Sequence, residues 1–270
     1  MENIDLFEMS IQGLNENTIK NHIRNIKKYI EEYEQEPADQ SKILKNVSED
    51  DVYKTQSAKL TILKSISKYL QFKGLPVNLI VKDISKYNNT LNKSYLQRNK
   101  EKKYEHSIKD LKQGLKKLEQ EGKCQEYIIN YILLNYNTRI MDLDVKLVNK
   151  KPKDTEHNYF YRRKNDIQYI RNIYKTSKTY GQKIHIIKNK SFLKCFDEMI
   201  KNQDELLYDF KQDPKQLQRY MKKKILFGYN QSDIAKIILS DKNNLSQAIK
   251  IGKNRGTDLN TLNQNYNIKV

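Results

Sequence analysis

The chain contains no tryptophan, and only two cysteines, four prolines and eight glycines among 270 residues. Cys124 and Cys195 are far apart and fall in no paired spacing, so neither a disulfide framework nor a zinc site is expected. Both are read as reduced, half-buried core residues. No run of about 18 apolar residues is present, so no membrane-spanning helix is expected. The start, "MENIDLFEMS", is acidic and lacks the basic residues and apolar stretch of a signal peptide. An intracellular protein with no membrane partner follows as the expectation. There is also no Gly-rich phosphate loop, no His-x-x-x-His and no Gly-x-Ser-x-Gly, and the one Asp-x-Asp, Asp142-Leu143-Asp144, has no further carboxylate clustered beside it in sequence. ATPase, metalloprotease, esterase and two-metal nuclease chemistry therefore lack their residues, and no cofactor or metal is expected.

Positive charge is abundant. Lys+Arg number 51 against 33 Asp+Glu, a formal +18, which points to a polyanionic partner, nucleic acid first of all. Most of the basic residues are lysines, suited to diffuse attraction of phosphate. The arginines are few enough to be considered one at a time.

Periodicity divides the chain. Ile19, Ile23, Ile26, Ile30 and Tyr33 recur at helical spacing, with Asn15 or Asn17 as N-cap. A second helix runs through Leu60, Leu63, Ile66, Tyr69 and Leu70 until "KGLP", and a short third begins near Asn78. Residues 1–85 read as a small helical unit. Residues 86–105, polar and basic without an apolar stripe, read as an exposed linker. From residue 106 to 270 a second domain starts with an amphipathic helix through Ile108, Leu111, Leu115 and Leu118 and a more apolar, buried one in "CQEYIINYILLNYN". The period then shortens: "LDVKLV", "DIQYIRNIY" and "QKIHIIK" read as strands, with "KTSKTYG" as a hairpin loop ending at Gly181. Helices resume in "FLKCFDEMIKNQDELLYDF", in "PKQLQRYMKKKILF" with Pro214 at its start, in "QSDIAKIILS", and in "NLSQAIKIG" ended by Gly252. The expected fold is mainly α with one small antiparallel β-sheet.

Chemistry on a phosphodiester without a metal needs cations fixed around the phosphorus and a nucleophile able to form a covalent intermediate. Arginine, lysine and tyrosine would suffice. In "NTRIMDLDVKLV", Arg139 stands where the buried helix runs out, with Asp142 three residues on and a strand beyond. This segment resembles the first arginine motif of the tyrosine recombinases, the phage-integrase family, with Thr138 before the arginine and Asp142 in place of the usual glutamate. "YKTSKTYGQKIHIIK" resembles the family's lysine hairpin, which puts Lys178, with Lys175 as the alternative, in the role of general acid for the leaving 5′ oxygen. "PKQLQRYMKKKILF" resembles the His-x-x-Arg segment, with Gln216 in the histidine position and Arg219 as the second phosphate-binding arginine. "RGTDLNTLNQNYNI" resembles the family's ending, with Gly256, then Thr257 in the histidine position, then Tyr266 nine residues later as the nucleophile.

The resemblance implies a site-specific DNA recombinase or integrase, of viral or mobile-element type. It would cleave and rejoin DNA through a 3′-phosphotyrosyl intermediate held by Arg139, Arg219 and a lysine, with double-stranded DNA as partner and self-assembly into a dimer or tetramer. Two other functions use the same residues: a recombinase-fold DNA-binding or packaging protein without turnover, and a type IB topoisomerase-like relaxer. Each residue also has a plainer role open to it. An arginine after a buried helix commonly caps or pairs, a hairpin lysine is commonly solvated, and a tyrosine near a terminus commonly packs. Tyr229 and Tyr220 are the other tyrosines that could serve.

Overall fold

In the computed structural model, which describes residues 2–49, 51–101, 103–210, 213, 216–242 and 245–256, the chain divides into two units, Met1–Arg98 and Asn99–Val270. The first is built from α1 (Glu2–Ser10), α2 (Glu16–Tyr33), α3 (Gln40–Glu49), α4 (Gln56–Phe72) and α5 (Asn78–Glu101), with a 3-10 turn at Asp51–Tyr53. Asn15 caps α2 by accepting from the Asn17 amide at 3.0 Å, and Thr55 caps α4 by accepting from the Ala58 amide at 3.1 Å. Of the isoleucine repeat, Ile19, Ile23 and Ile26 are buried and Ile30 packs partly buried against the same core, while Tyr29 beside it is wholly buried. Phe7 meets Tyr69 edge to face, with ring centroids 5.2 Å apart, in the middle of this core. α5 takes in most of the segment expected to be an exposed linker. Its N-terminal half supplies the buried Ile80, and the weakly apolar remainder continues the helix to Glu101.

The second unit runs α6 (Ile108–Gln120), α7 (Cys124–Tyr136), a 3-10 turn at Ile140–Leu143, β1 (Val145–Val148), β2 (Asn158–Arg162), β3 (Ile167–Arg171), α8 (Ser177–Tyr180), β4 (Lys183–Ile187), α9 (Lys190–Met199), α10 (Leu217–Lys224), a 3-10 turn at Leu226–Gly228, α11 (Gln231–Lys242) and α12 (Leu245–Arg255). α7 is buried on most of its circumference, as its apolar sequence demands, and packs against α6, α9 and α11. Ser107 and Asp110 form a capping box at the start of α6. Cys124 is half-buried and Cys195 buried, both as free thiols, and burial together with the neighbouring Cys124 pushes the Cys195 thiol up.

The mainly α architecture with one small sheet is as expected, while the sheet itself differs in two respects. It has four strands in the order β1-β2-β3-β4, and β1 pairs with β2 in parallel, so the sheet is mixed rather than antiparallel throughout. The additional strand, "NYFYR", is short and shows no clean alternation, which hides it from period-2 reading. A parallel pair cannot be closed by a tight hairpin, and residues 149–157 carry the chain back across. β3 and β4 form the expected hairpin, and its loop, which ends at Gly181, contains the short helix α8.

Two helices end elsewhere than expected. α9 stops at Met199, because the following segment is recruited to the free edge of β1: the Leu147 amide donates to the Asp204 carbonyl at 2.7 Å and the Leu206 amide to the Val145 carbonyl at 2.9 Å. α12 runs through Gly252 to Arg255 and ends at Gly256, where the backbone turns left-handed at φ +59°. Among the described residues, no helix is long and apolar enough to cross a membrane, and no group of His, Cys, Asp and Glu could hold a metal ion.

Candidate functional site

Arg139 is placed by the way α7 ends. Asn137 terminates the helix in the left-handed region (φ 52°), its amide reaching the Leu133 carbonyl at 3.2 Å, and Thr138 is buried beneath the turn. Arg139 then opens the 3-10 turn Ile140–Leu143, and the Asp142 carboxylate accepts from the Arg139 amide at 3.1 Å. Asp142 is wholly buried, and so is its ion-pair partner Arg171 at the end of β3. The Asp142 carbonyl accepts from the Tyr169 hydroxyl at 2.7 Å, which ties the turn to the sheet a second time.

Cations from three elements converge on the last turn of α12. The Lys183 ammonium, from the first residue of β4, donates to the Lys253 carbonyl. The Arg171 guanidinium donates to the Asn254 carbonyl at 2.6 Å, and that of Arg139 to the Arg255 carbonyl. The Thr176 hydroxyl, from the hairpin loop, completes the series by donating to the Gly256 carbonyl at 3.2 Å. Four consecutive carbonyls at the negative end of a helix are thus capped by side chains, three of them cationic, as the unsatisfied carbonyls and the helix dipole favour. Gly256 is required at this point. Besides its positive φ, a Cβ there would lie 2.1 Å from the Thr176 hydroxyl oxygen.

Lys183 is further confined by aromatic rings, its ammonium 4.9 Å from the Tyr174 centroid and 5.3 Å from that of Tyr180. Burial, then the nearby Arg171, lowers its pKa, with a further push from Arg139 and a partial offset from Asp142. The two expected lysines are placed differently. Lys178 lies exposed on α8 and Lys175 exposed in the loop before it, while Lys183 is the hairpin cation bonded to the end of α12.

Arg219 is exposed on α10, and Gln216 is exposed immediately before that helix. α10 packs against the turn that follows Arg139, and Arg219 and Ile140 line one cavity of about 500 Å³ together with Lys222, Tyr229, Asn230 and Asp233. The cavity is thus bounded by one expected arginine and by the neighbour of the other. Of the alternative tyrosines, Tyr220 has its hydroxyl bonded to Asp209 and its pKa raised well above the ordinary value, first by burial and then by that carboxylate. The Tyr229 hydroxyl pairs with His106 Nδ1 at 3.0 Å. Thr257 and Tyr266 lie outside the described residues.

Arg171, Lys183 and Thr176 did not emerge from motif reading. A signal for Arg171 exists all the same: Ile167, Tyr169 and Arg171 occupy alternate positions of one strand, so an arginine falls in register with two core residues. A charge in that register is expected to find a buried partner.

His185, on β4 beside this cluster, has its pKa lowered to about 4, first by burial and then by Arg171, Lys183 and Lys250. Because its folded pKa lies below the unfolded value near 6.5, the unfolded chain takes up the proton first. The stabilisation is present above about pH 6.5 and drains away as pH falls toward the folded value. Urea midpoints measured from pH 7 to 4.5 are expected to fall more steeply for wild type than for His185→Phe, which keeps a ring against Tyr136. Parallel pH profiles would rule the assignment out.

Fold and site together define a mainly α protein with a small mixed sheet, in which arginines and a lysine gather around one helix end. No family model matches the chain, and no curated protein matches it significantly. Among solved structures, the crystal structure of XerA recombinase is similar at 13% identity over 98% of this chain and 92% of that one, with a TM-score of 0.36.

Proposed function

We propose that the protein cleaves and rejoins double-stranded DNA as a tyrosine recombinase does, without metal or ATP. In this reading the Tyr266 hydroxyl attacks a backbone phosphorus: the P–O(Tyr) bond forms, the P–O5′ bond breaks, and the phenolic proton passes to water. Arg139 and Arg219 hold the non-bridging oxygens by paired hydrogen bonds. A lysine of the β3–β4 hairpin protonates the leaving 5′ oxygen, Lys178 by motif, with Lys175 behind it, or Lys183 by position. The observation that supports the reading is the convergence of Arg139, Arg171 and Lys183 on the end of α12, one residue before the stretch that carries Tyr266. The exposed face of α2, where Lys20, Arg24, Lys27 and Lys28 border a hollow of about 730 Å³ together with Glu8 and Glu31, keeps a net positive charge that suits contact with the duplex backbone. Residues 1–85 would then serve as the DNA-binding domain and 106–270 as the catalytic one, with assembly into a dimer or tetramer on DNA. The test is a nicked suicide duplex, from which a downstream strand is lost after cleavage. A covalent protein–DNA adduct is expected with wild type and none with Tyr266→Phe. An adduct that persists in the variant removes Tyr266 from its role.

A second reading, a DNA-binding or packaging protein without turnover, draws on Gln216 and Thr257, which donate hydrogen bonds but cannot act as acid or base near neutral pH. It predicts tight, salt-sensitive duplex binding and no adduct with any substrate.

A further inference from the structure

Arg171 belongs to none of the motifs, yet it is the best-enclosed arginine described. It has no exposed surface, and its guanidinium spans two segments far apart in sequence. One nitrogen donates to the Asp142 carboxylate, inside the turn that starts at Arg139. The other donates to the Asn254 carbonyl at 2.6 Å, two residues before the chain leaves α12 at Gly256. The guanidinium is held in turn by aromatic faces, its carbon lying 4.7 Å from the Tyr174 centroid and 5.9 Å from that of Tyr169. A planar fork with fixed angles between its donors is suited to setting a distance between two acceptors, which a lysine's single ammonium does far less well. Burial also removes competing water, so the geometry cannot relax through solvent.

We propose that Arg171 is a positioning residue: by bridging Asp142 and the Asn254 carbonyl it sets where the chain beyond Gly256 departs relative to the Arg139 guanidinium. The inference rests on the strand-cleavage reading above and deepens it, since the chain so directed is the one that carries Tyr266. A fork that only stabilised the fold would be replaceable by well-packed apolar groups, because a buried ion pair exchanged as a whole for hydrophobic residues commonly leaves stability unchanged or improved. A fork that sets a distance would not be.

The test therefore uses Arg171→Met combined with Asp142→Leu, which removes both charges, alongside Arg171→Lys, which keeps one charge but cannot span both acceptors. The double variant is expected to melt above Asp142→Ala, because no charge is left buried alone, but below wild type, because the Arg139 amide loses its acceptor, and to bind duplex with unchanged Kd. Its single-turnover cleavage at saturating nicked duplex is expected to fall by about 100-fold, the scale of loss that a misplacement near 1 Å produces. Arg171→Lys is expected to lose rate in the same direction with Kd again unchanged, and it carries the test by itself if the double variant does not fold. Wild-type cleavage rates in these variants would overturn the proposal. Amide hydrogen exchange at residues 253–256 supplies a readout independent of chemistry, with faster exchange expected in both variants. If the wild-type protein forms no adduct, the strand-cleavage reading fails, and unchanged exchange at the end of α12 would then overturn the positioning role as well.

Discussion

Asp142→Ala is expected to lower the thermal midpoint of the unit that contains it by roughly 10 °C. The substitution leaves Arg171 buried without its carboxylate, and breaking a buried pair from one side costs about 3–5 kcal/mol. For a domain of this size each kcal/mol moves the midpoint by about 2–4 °C. The Arg139 amide also loses its acceptor, so the turn is expected to loosen at the same time. Asp142→Asn keeps the shape and one acceptor oxygen and should fall between alanine and wild type. Calorimetry on the three proteins decides the matter. An alanine variant melting within about 2 °C of wild type would show that the pair contributes little, contrary to the usual cost of an isolated buried charge.

The second large effect is kinetic. Arg139→Ala is expected to slow formation of the covalent adduct by about 10²–10³-fold, the loss seen when one fixed donor to a developing oxyanion is removed. Arg139→Lys should recover little of it, since an ammonium cannot replace two parallel N–H donors. Duplex affinity should change far less, because on the strand-cleavage reading one phosphate contact among many is removed, and the slope of log K against log salt should shrink by about one. A loss of rate matched by an equal loss of affinity would place Arg139 in binding alone. Adduct formation within tenfold of wild type would remove it from the transition state altogether. Both measurements use the nicked duplex, and the Arg139 variants are melted alongside, since Arg139 also holds the Arg255 carbonyl.

The helices were legible because their evidence is local. The rows Ile19–Ile23–Ile26 and Ile108–Leu111–Leu115 repeat at the helical period whatever lies around them, and Asn15 carries its capping oxygen with it. β2 escaped because five residues with three consecutive aromatics give no alternation to read. The end of α9 escaped because the competing partner, the edge of β1, lies more than fifty residues earlier in the chain. Gly252 and Gly256 show the same limit on a smaller scale. Either can end a helix, and the choice of Gly256 follows from the Thr176 hydroxyl that closes against it, together with the three cations that cap the carbonyls just before it.

Charge and residue order were determined by the sequence alone: a formal net charge of +18, and Arg139, a hairpin lysine, Arg219 and Tyr266 in succession. Tertiary structure decided which of these groups meet. It joined Arg171 to Asp142, brought Lys183 rather than Lys178 to the end of α12, and put Arg219 on the same cavity as Ile140. Periodicity and composition are properties of neighbours along the chain, whereas a buried guanidinium finds its carboxylate only after strand order and helix packing have excluded water from both.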